Sequence, residues 1–163
     1  VATDVTGVGT ARSGIAACEF GGDKGIFAFG YASGFTAISN LVSNAGVVAT
    51  DVTGVGTVRQ ELAACAYGGD KGIFGFGQPA SGYAGMTNLV SNTGVVATDV
   101  AAVGTGRMKI TACEYGSDKG IFGYGYSGSS ESITNLVSNA GVVGTDVTGV
   151  GSARFALAGC SFN

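Results

Sequence analysis

Internal repetition constrains this chain more than any other feature. The phrase Thr3-Asp4-Val5-Thr6-Gly7-Val8-Gly9 recurs from Thr50 to Gly56, again from Thr98 to Gly104 with Ala101-Ala102 in place of Thr-Gly, and again from Thr145 to Gly151. The offsets are 47, 48 and 47 residues, and the one extra residue falls beside Pro79. The whole chain therefore reads as one repeat array: 3–49, 50–97, 98–144, and a partial fourth unit, 145–163. A fixed period of this size means stacked copies of one supersecondary unit.

The glycines follow the same period. There are 31 in 163 residues, several times the average usage of roughly 7%. Most hold fixed repeat positions, such as Gly9, Gly56, Gly104 and Gly151, or Gly25, Gly72 and Gly120. Glycine fixed in place marks positive φ or close backbone approach, not a flexible linker. With a single proline the chain is no collagen, and at 45% hydrophobic with a net charge of -3 it lacks the signature of disorder.

Within a repeat the apolar runs are short. In the first they are 13–20, 26–29, 36–43 and 47–52. None reaches the roughly 10 to 12 residues of a helix. β-Branched and aromatic residues fill them, and turn residues bound them. Asp23-Lys24-Gly25 reads as a hairpin loop with Gly25 in the left-handed position, and Asn44-Ala45-Gly46 as a second one. Each repeat is thus an all-β unit, a four-stranded antiparallel meander with strands apolar on both faces. Such units stacked face to face are β-propeller blades; a β-solenoid or open stacked array is the alternative. The small first strand (Ala16-Ala17-Cys18, Ala63-Ala64-Cys65, Ala112-Cys113) suits an inner rim.

Three and a half units make an incomplete ring in one chain, since propellers have typically 4 to 8 blades. The start at Val1, without a charged segment before an apolar stretch, reads as a processed or truncated end. The expected partners are other copies of the chain or the rest of a longer one.

The repeats differ most in two windows. One follows the recurring arginine: Ser13-Gly14, Gln60-Glu61, Met108-Lys109, Phe155-Ala156. The other links the second and third strands: 31–35, 78–83 and 126–131. In an up-down meander both windows lie at one end, and the two near-constant hairpins lie at the other. Binding commonly sits on variable loops over a rigid scaffold. The candidate ligand contacts are Tyr31, Phe35, Gln78, Tyr83 and Tyr126.

Little chemistry is expected. The chain has no histidine, which removes a conventional serine triad and the commonest general base. Four cysteines recur once per repeat, at Cys18, Cys65, Cys113 and Cys160. That spacing is unlike zinc sites, and equivalent positions in neighbouring blades are too far apart for disulfides. Asp23, Asp70 and Asp118 read as caps of turn amides. Asp4, Asp51, Asp99 and Asp146 read as structural partners of Arg12, Arg59, Arg107 and Arg154. Glu19 and Glu114 recur, but Ala66 replaces them in the second repeat. The expectation is no enzyme, no metal and no cofactor, no nucleic-acid partner at this charge, and no membrane span in runs this short.

Arginine before an Ala-rich strand, together with the aromatic-glycine strand ends Phe29-Gly30, Phe76-Gly77 and Tyr124-Gly125, resembles a kelch-type propeller blade; the regulator-of-chromosome-condensation repeat is a second match. The phrases from Asp70 to Gly77 and from Asn88 to Asp99 resemble tandem repeats of marine bacteriophage tail-fibre and virion-surface proteins, over nearly the whole chain. The resemblance implies a non-catalytic structural or adhesive protein of a virion or extracellular surface, binding host glycan or protein. A self-assembling fibre or coat subunit without ligand is the alternative, and a lectin the third.

Overall fold

The computed structural model describes residues 5–161; Asp4 lies outside them. Among the described residues there are nine strands: β1 (Ala16–Phe20), β2 (Lys24–Ala28), β3 (Ser39–Val42), β4 (Ala63–Tyr67), β5 (Lys71–Gly75), β6 (Thr87–Val90), β7 (Thr111–Tyr115), β8 (Lys119–Tyr126) and β9 (Ser130–Val137). They form three antiparallel three-stranded sheets, β1-β2-β3, β4-β5-β6 and β7-β8-β9, one per repeat. The register repeats too: Cys18 faces Ile26, Cys65 faces Ile73 and Cys113 faces Ile121. The described part is all-β, and no helix in it is long and apolar enough to cross a membrane.

The fourth apolar run of each repeat is not a full strand. It touches the third through two isolated bridges, Val42 with Val48 and Ser39 with Val52, repeated as Val90–Val96 with Thr87–Val100 and as Val137–Val143 with Thr134–Val147. Between the bridges the asparagine of the third strand takes over. Asn40 Nδ2 donates to the Ala49 carbonyl at 3.1 Å and to Asp51 at 2.8 Å. A side chain thus occupies an acceptor that a regular ladder would give to a backbone amide, and the pairing slips by one residue, as in a β-bulge.

The sheets pack face to face. One core joins the first two, with Phe20, Ile26, Phe29, Leu62, Phe74 and Val90; a second joins the next two, with Tyr67, Ile73, Phe76, Ile110, Phe122 and Val137. The middle sheet is covered on both sides, so adjacent Ile73 and Phe74 on β5 are both fully buried. This is why its strand reads as continuously apolar. Each such side chain contributes about 1.5–3 kcal/mol by burial.

The Asp-Lys-Gly loops differ from expectation. Lys24 and Gly25 already belong to β2, and the turn is made by Gly21 and Gly22, at φ 62° and 78°. Gly25, Gly72 and Gly120 serve close approach instead. A Cβ on Gly72 would lie 2.5 Å from the Cys18 sulfur, and one on Gly120 would lie 2.6 Å from that of Cys65. The cysteine of one repeat therefore rests on the bare glycine of the next. The second hairpin behaves as expected, with Gly46, Gly94 and Gly141 at φ 75°, 81° and 78°.

Candidate recognition face

The arginines build the scaffold beneath the variable loops. Arg59 is fully buried. Its Nε donates to the Phe76 carbonyl at 2.7 Å, Nη1 to Thr57 O at 3.0 Å and Nη2 to Asn88 Oδ1 at 2.7 Å. Arg107 repeats this with Tyr124, Thr105 and Asn135. Asp99 and Asp146 stand 4.0 and 3.9 Å away, and Arg12 pairs with Asp51 at 3.7 Å. Each aspartate thus pairs with the arginine of the preceding Thr-Asp-Val phrase, which holds the fourth run onto its own sheet. Burial pulls the Arg59 and Arg107 guanidiniums down to about 10, still charged at neutral pH.

The link between repeats is aromatic. Arg59 lies over the Phe29 ring at 4.2 Å, Arg107 over Phe76 at 4.4 Å and Arg154 over Tyr124 at 4.2 Å. All three rings belong to residues with left-handed backbone, φ 62° to 63°. That conformation costs about 1–2 kcal/mol for a side chain with Cβ; a desolvated cation–π contact is worth about 2 kcal/mol. The following glycines, Gly30, Gly77 and Gly125, donate to the carbonyls of Arg59, Arg107 and Arg154, so the same dipeptide makes a second contact between repeats.

These contacts bring the two variable windows together. Ser13 pairs with Tyr31, Gln60 with Gln78, and Met108 with Tyr126, each through reciprocal backbone hydrogen bonds of 2.8–3.0 Å. On them sit the sequence-derived candidates. Tyr31 packs edge-on against Phe35, with centroids 5.3 Å apart. Tyr83 packs against Tyr126 at 5.9 Å, and Tyr126 against Phe155 at 5.4 Å. Gln78 accepts from Gln60 Nε2 at 3.3 Å. Tyr31 is exposed and the other four are half-buried.

Three residues absent from the candidate list join them. Phe155 extends the ring series, and Lys109 lies 5.6 Å from the Phe155 centroid and 4.0 Å from Glu61. All three stand in the other variable window. The signal was the pairing of the two windows, which places their side chains side by side.

The opposite end is fixed by polar ties. Asn44 donates to Asp23 at 3.0 Å, Asn92 to Asp70 at 3.0 Å and Asn139 to Asp118 at 3.2 Å, joining the two constant hairpins of each repeat. Each aspartate also holds the lysine beside it. These carboxylates therefore bind side chains of the neighbouring turn, not the turn amides expected of them.

The inner strands leave a cavity of about 270 Å³ among Cys18, Cys65, Cys113, Glu19, Glu114 and Ser161. Glu19 stands on β1 and Glu114 on β7, with Ala66 of β4 at the equivalent position between them. The Cys18 sulfur is covered by Gly72 although the residue as a whole is half-buried. Burial pushes its thiol up to about 12 and raises that of Cys65 as well. Among the described residues, no three of His, Cys, Asp and Glu are grouped to hold a metal.

No protein-family model matches the chain, and no curated protein matches it in sequence. Its fold is similar to that of the solved structure of YjhT, with a TM-score of 0.63 at 15% identity. The match covers 83% of this chain and 45% of YjhT.

Proposed function

We propose that the chain is a run of kelch-like β-propeller blades that works without catalysis, as a recognition module of a virion or extracellular surface, its variable end contacting host glycan or protein. The observation that carries this reading is the pairing of the two most variable windows of every repeat on one end, with the rings of Tyr83, Tyr126 and Phe155 in series. Variation there sits on an arginine scaffold that does not vary, the pattern of binding loops on a rigid frame. Rings combined with the amides of Gln60 and Gln78 suit the apolar faces and hydroxyls of a sugar, or a peptide surface. A glycan array and a host-surface protein panel, probed with the chain and with its Tyr83→Ala and Tyr126→Ala variants, test it. Binding that both variants lose at unchanged melting temperature is the expected result; absence of binding across both panels, or unchanged binding by the variants, overturns it.

A further inference from the structure

We propose that Glu61 and Lys109 form the polar centre of the recognition face, and that its ligand is a neutral glycan whose neighbouring hydroxyls bridge the carboxylate and the ammonium. The inference rests on reading this end as a recognition face; it adds the residues that set specificity and the class of ligand they select.

Both residues hold left-handed backbone. Glu61 stands at φ 54° and Lys109 at φ 52°, and the equivalent position of the first repeat is Gly14 at φ 61°. One residue per repeat thus joins a row across the face. The Glu61 amide donates to the Gly14 carbonyl at 2.8 Å, and the Lys109 amide to the Glu61 carbonyl at 2.9 Å. The row uses backbone atoms alone, so glycine serves it fully, as Gly14 does. A side chain is costly there, because Cβ crowds the backbone in this conformation. Space is short as well: a Cβ on Gly14 would lie 3.1 Å from Gln60 Cβ.

The left-handed aromatics are compensated from within the fold. Phe29, Phe76 and Tyr124 each carry an arginine of the next repeat over the ring. Glu61 and Lys109 have no comparable compensation. Among the described residues their charged groups make no hydrogen bond. They meet each other at 4.0 Å, with side chains 29% and 37% exposed, and the ammonium also stands 5.6 Å from the Phe155 centroid. Contacts this exposed stabilise by less than two left-handed side chains cost. Strain that the fold itself does not use collects at binding sites. These two side chains also differ from repeat to repeat, whereas the backbone row beneath them is kept.

The surroundings select the ligand. Gln60 and Met108, immediately before the pair, are bridged to Gln78 and Tyr126, and Tyr126 packs on Tyr83. A carboxylate acceptor, an ammonium donor and two amides therefore share this end with aromatic rings. Of two neighbouring sugar hydroxyls, one donates to the carboxylate and the other accepts from the ammonium, while the C–H face of the sugar packs on the tyrosines. Opposite charges 4.0 Å apart cancel at a distance. An acidic glycan thus finds no net attraction and is repelled by Glu61 at contact. Anchors of protein partners are typically desolvated aromatic or arginine side chains in pockets; a part-exposed pair of opposite charges suits hydroxyls instead.

An array of neutral and acidic glycans, followed by calorimetric titration of the strongest hit, tests the proposal on the whole chain and on its Glu61→Gly and Lys109→Gly variants. The wild type is expected to bind neutral glycans with an affinity that salt barely changes. Each glycine variant should lose at least about tenfold in affinity, as removal of a hydrogen bond to a charged group does. Each should melt at or above the wild-type temperature, because the backbone strain is relieved. A clearly lower melting temperature in either variant would mean that the side chain serves the fold, and overturns the proposal whatever binds. Binding that Tyr83→Ala loses but both glycine variants keep leaves the recognition face standing and removes this pair from it. Binding confined to acidic glycans or to host-surface proteins also leaves the face standing and refutes the ligand class. Absence of any binding overturns both readings.

Discussion

The guanidinium of Arg59 lies 4.2 Å from the centroid of the Phe29 ring, 30 positions earlier in the sequence. One residue thereby binds two repeats: its stack holds the preceding sheet, and its three hydrogen bonds hold its own. Removing it leaves Asn88 and two backbone carbonyls unsatisfied inside the core. Arg59→Ala should therefore cost about 3–5 kcal/mol, the range for breaking a buried charged network. Arg154→Ala, at an exposed equivalent with the stack on Tyr124 and one long hydrogen bond to the Ser152 carbonyl, should cost about 0.5–1 kcal/mol. Urea denaturation of both variants checks the contrast; equal losses would mean that burial of the network is not what matters.

The glycine–cysteine contact predicts a coupled pair. Gly72 has ordinary φ, so its methyl is opposed by packing alone: the Cys18 sulfur at 2.5 Å, the Glu19 carbonyl at 3.1 Å and Val90 Cβ at 3.4 Å. Gly72→Ala should destabilise by about 1–3 kcal/mol, as overpacking does. Adding Cys18→Ala should recover most of that loss, giving a non-zero coupling in a double-mutant cycle. A methyl on Gly25 meets nothing closer than Val42 Cβ at 3.6 Å, so Gly25→Ala should melt like wild type. Strict additivity of the Gly72 and Cys18 changes would refute the contact.

Much of this architecture was legible in the sequence because its signals are local. The 47-residue period, the short apolar runs and the hairpin glycines Gly46, Gly94 and Gly141 are patterns within a few residues. The sharing of one end by the two variable windows followed from strand alternation alone. The rest of the architecture depends on neighbours distant in sequence. Nothing near Phe29 signals a left-handed backbone, since its compensation comes from Arg59. Asn40 reads as one polar residue in a strand, yet it displaces the ladder to the fourth run. Lys24 and Gly25 look like turn residues until the preceding repeat's sulfur is placed against the equivalent of Gly25. Phe155 lies in the window after the recurring arginine, and its place in the ring series depends on Tyr126, distant in sequence.

Acid should loosen the fourth runs and the hairpin ties together. Hydrogen bonds from Asn40, then Thr10, hold the Asp51 carboxyl below its ordinary value of 3.8. For Asp99 and Asp146 burial acts upward, but hydrogen bonds from the Thr57–Asn88 and Asn135–Thr105 pairs outweigh it. Asp23, Asp70 and Asp118 are lowered too, through Lys24, Asn92 and Lys119 respectively. A carboxyl with a depressed folded value stabilises fully above its unfolded value, and that stability is lost as pH falls through the folded one. The urea midpoint should thus hold steady down to about pH 4 and then fall. Asp99→Asn should begin from a lower midpoint at neutral pH and show a shallower fall. A midpoint that rises on acidification would contradict the assignment.

The four cysteines should separate by reactivity, since the thiolate is the nucleophile. Cys18 and Cys65 are packed between sheets with their thiols pushed up by burial, the former to about 12. Almost none of either is thiolate at neutral pH, and the bare glycines Gly72 and Gly120 close over the sulfurs. Cys113 is half-buried and raised by burial, whereas Cys160 is exposed. A chromogenic disulfide reagent at neutral pH should titrate Cys160 rapidly, Cys113 more slowly, and Cys18 and Cys65 only after denaturant is added. Peptide mapping of the modified chain identifies the order. Fast labelling of Cys65 in the native chain would mean that the second and third sheets separate on the timescale of the reaction, and that the contact between Cys65 and Gly120 is not held.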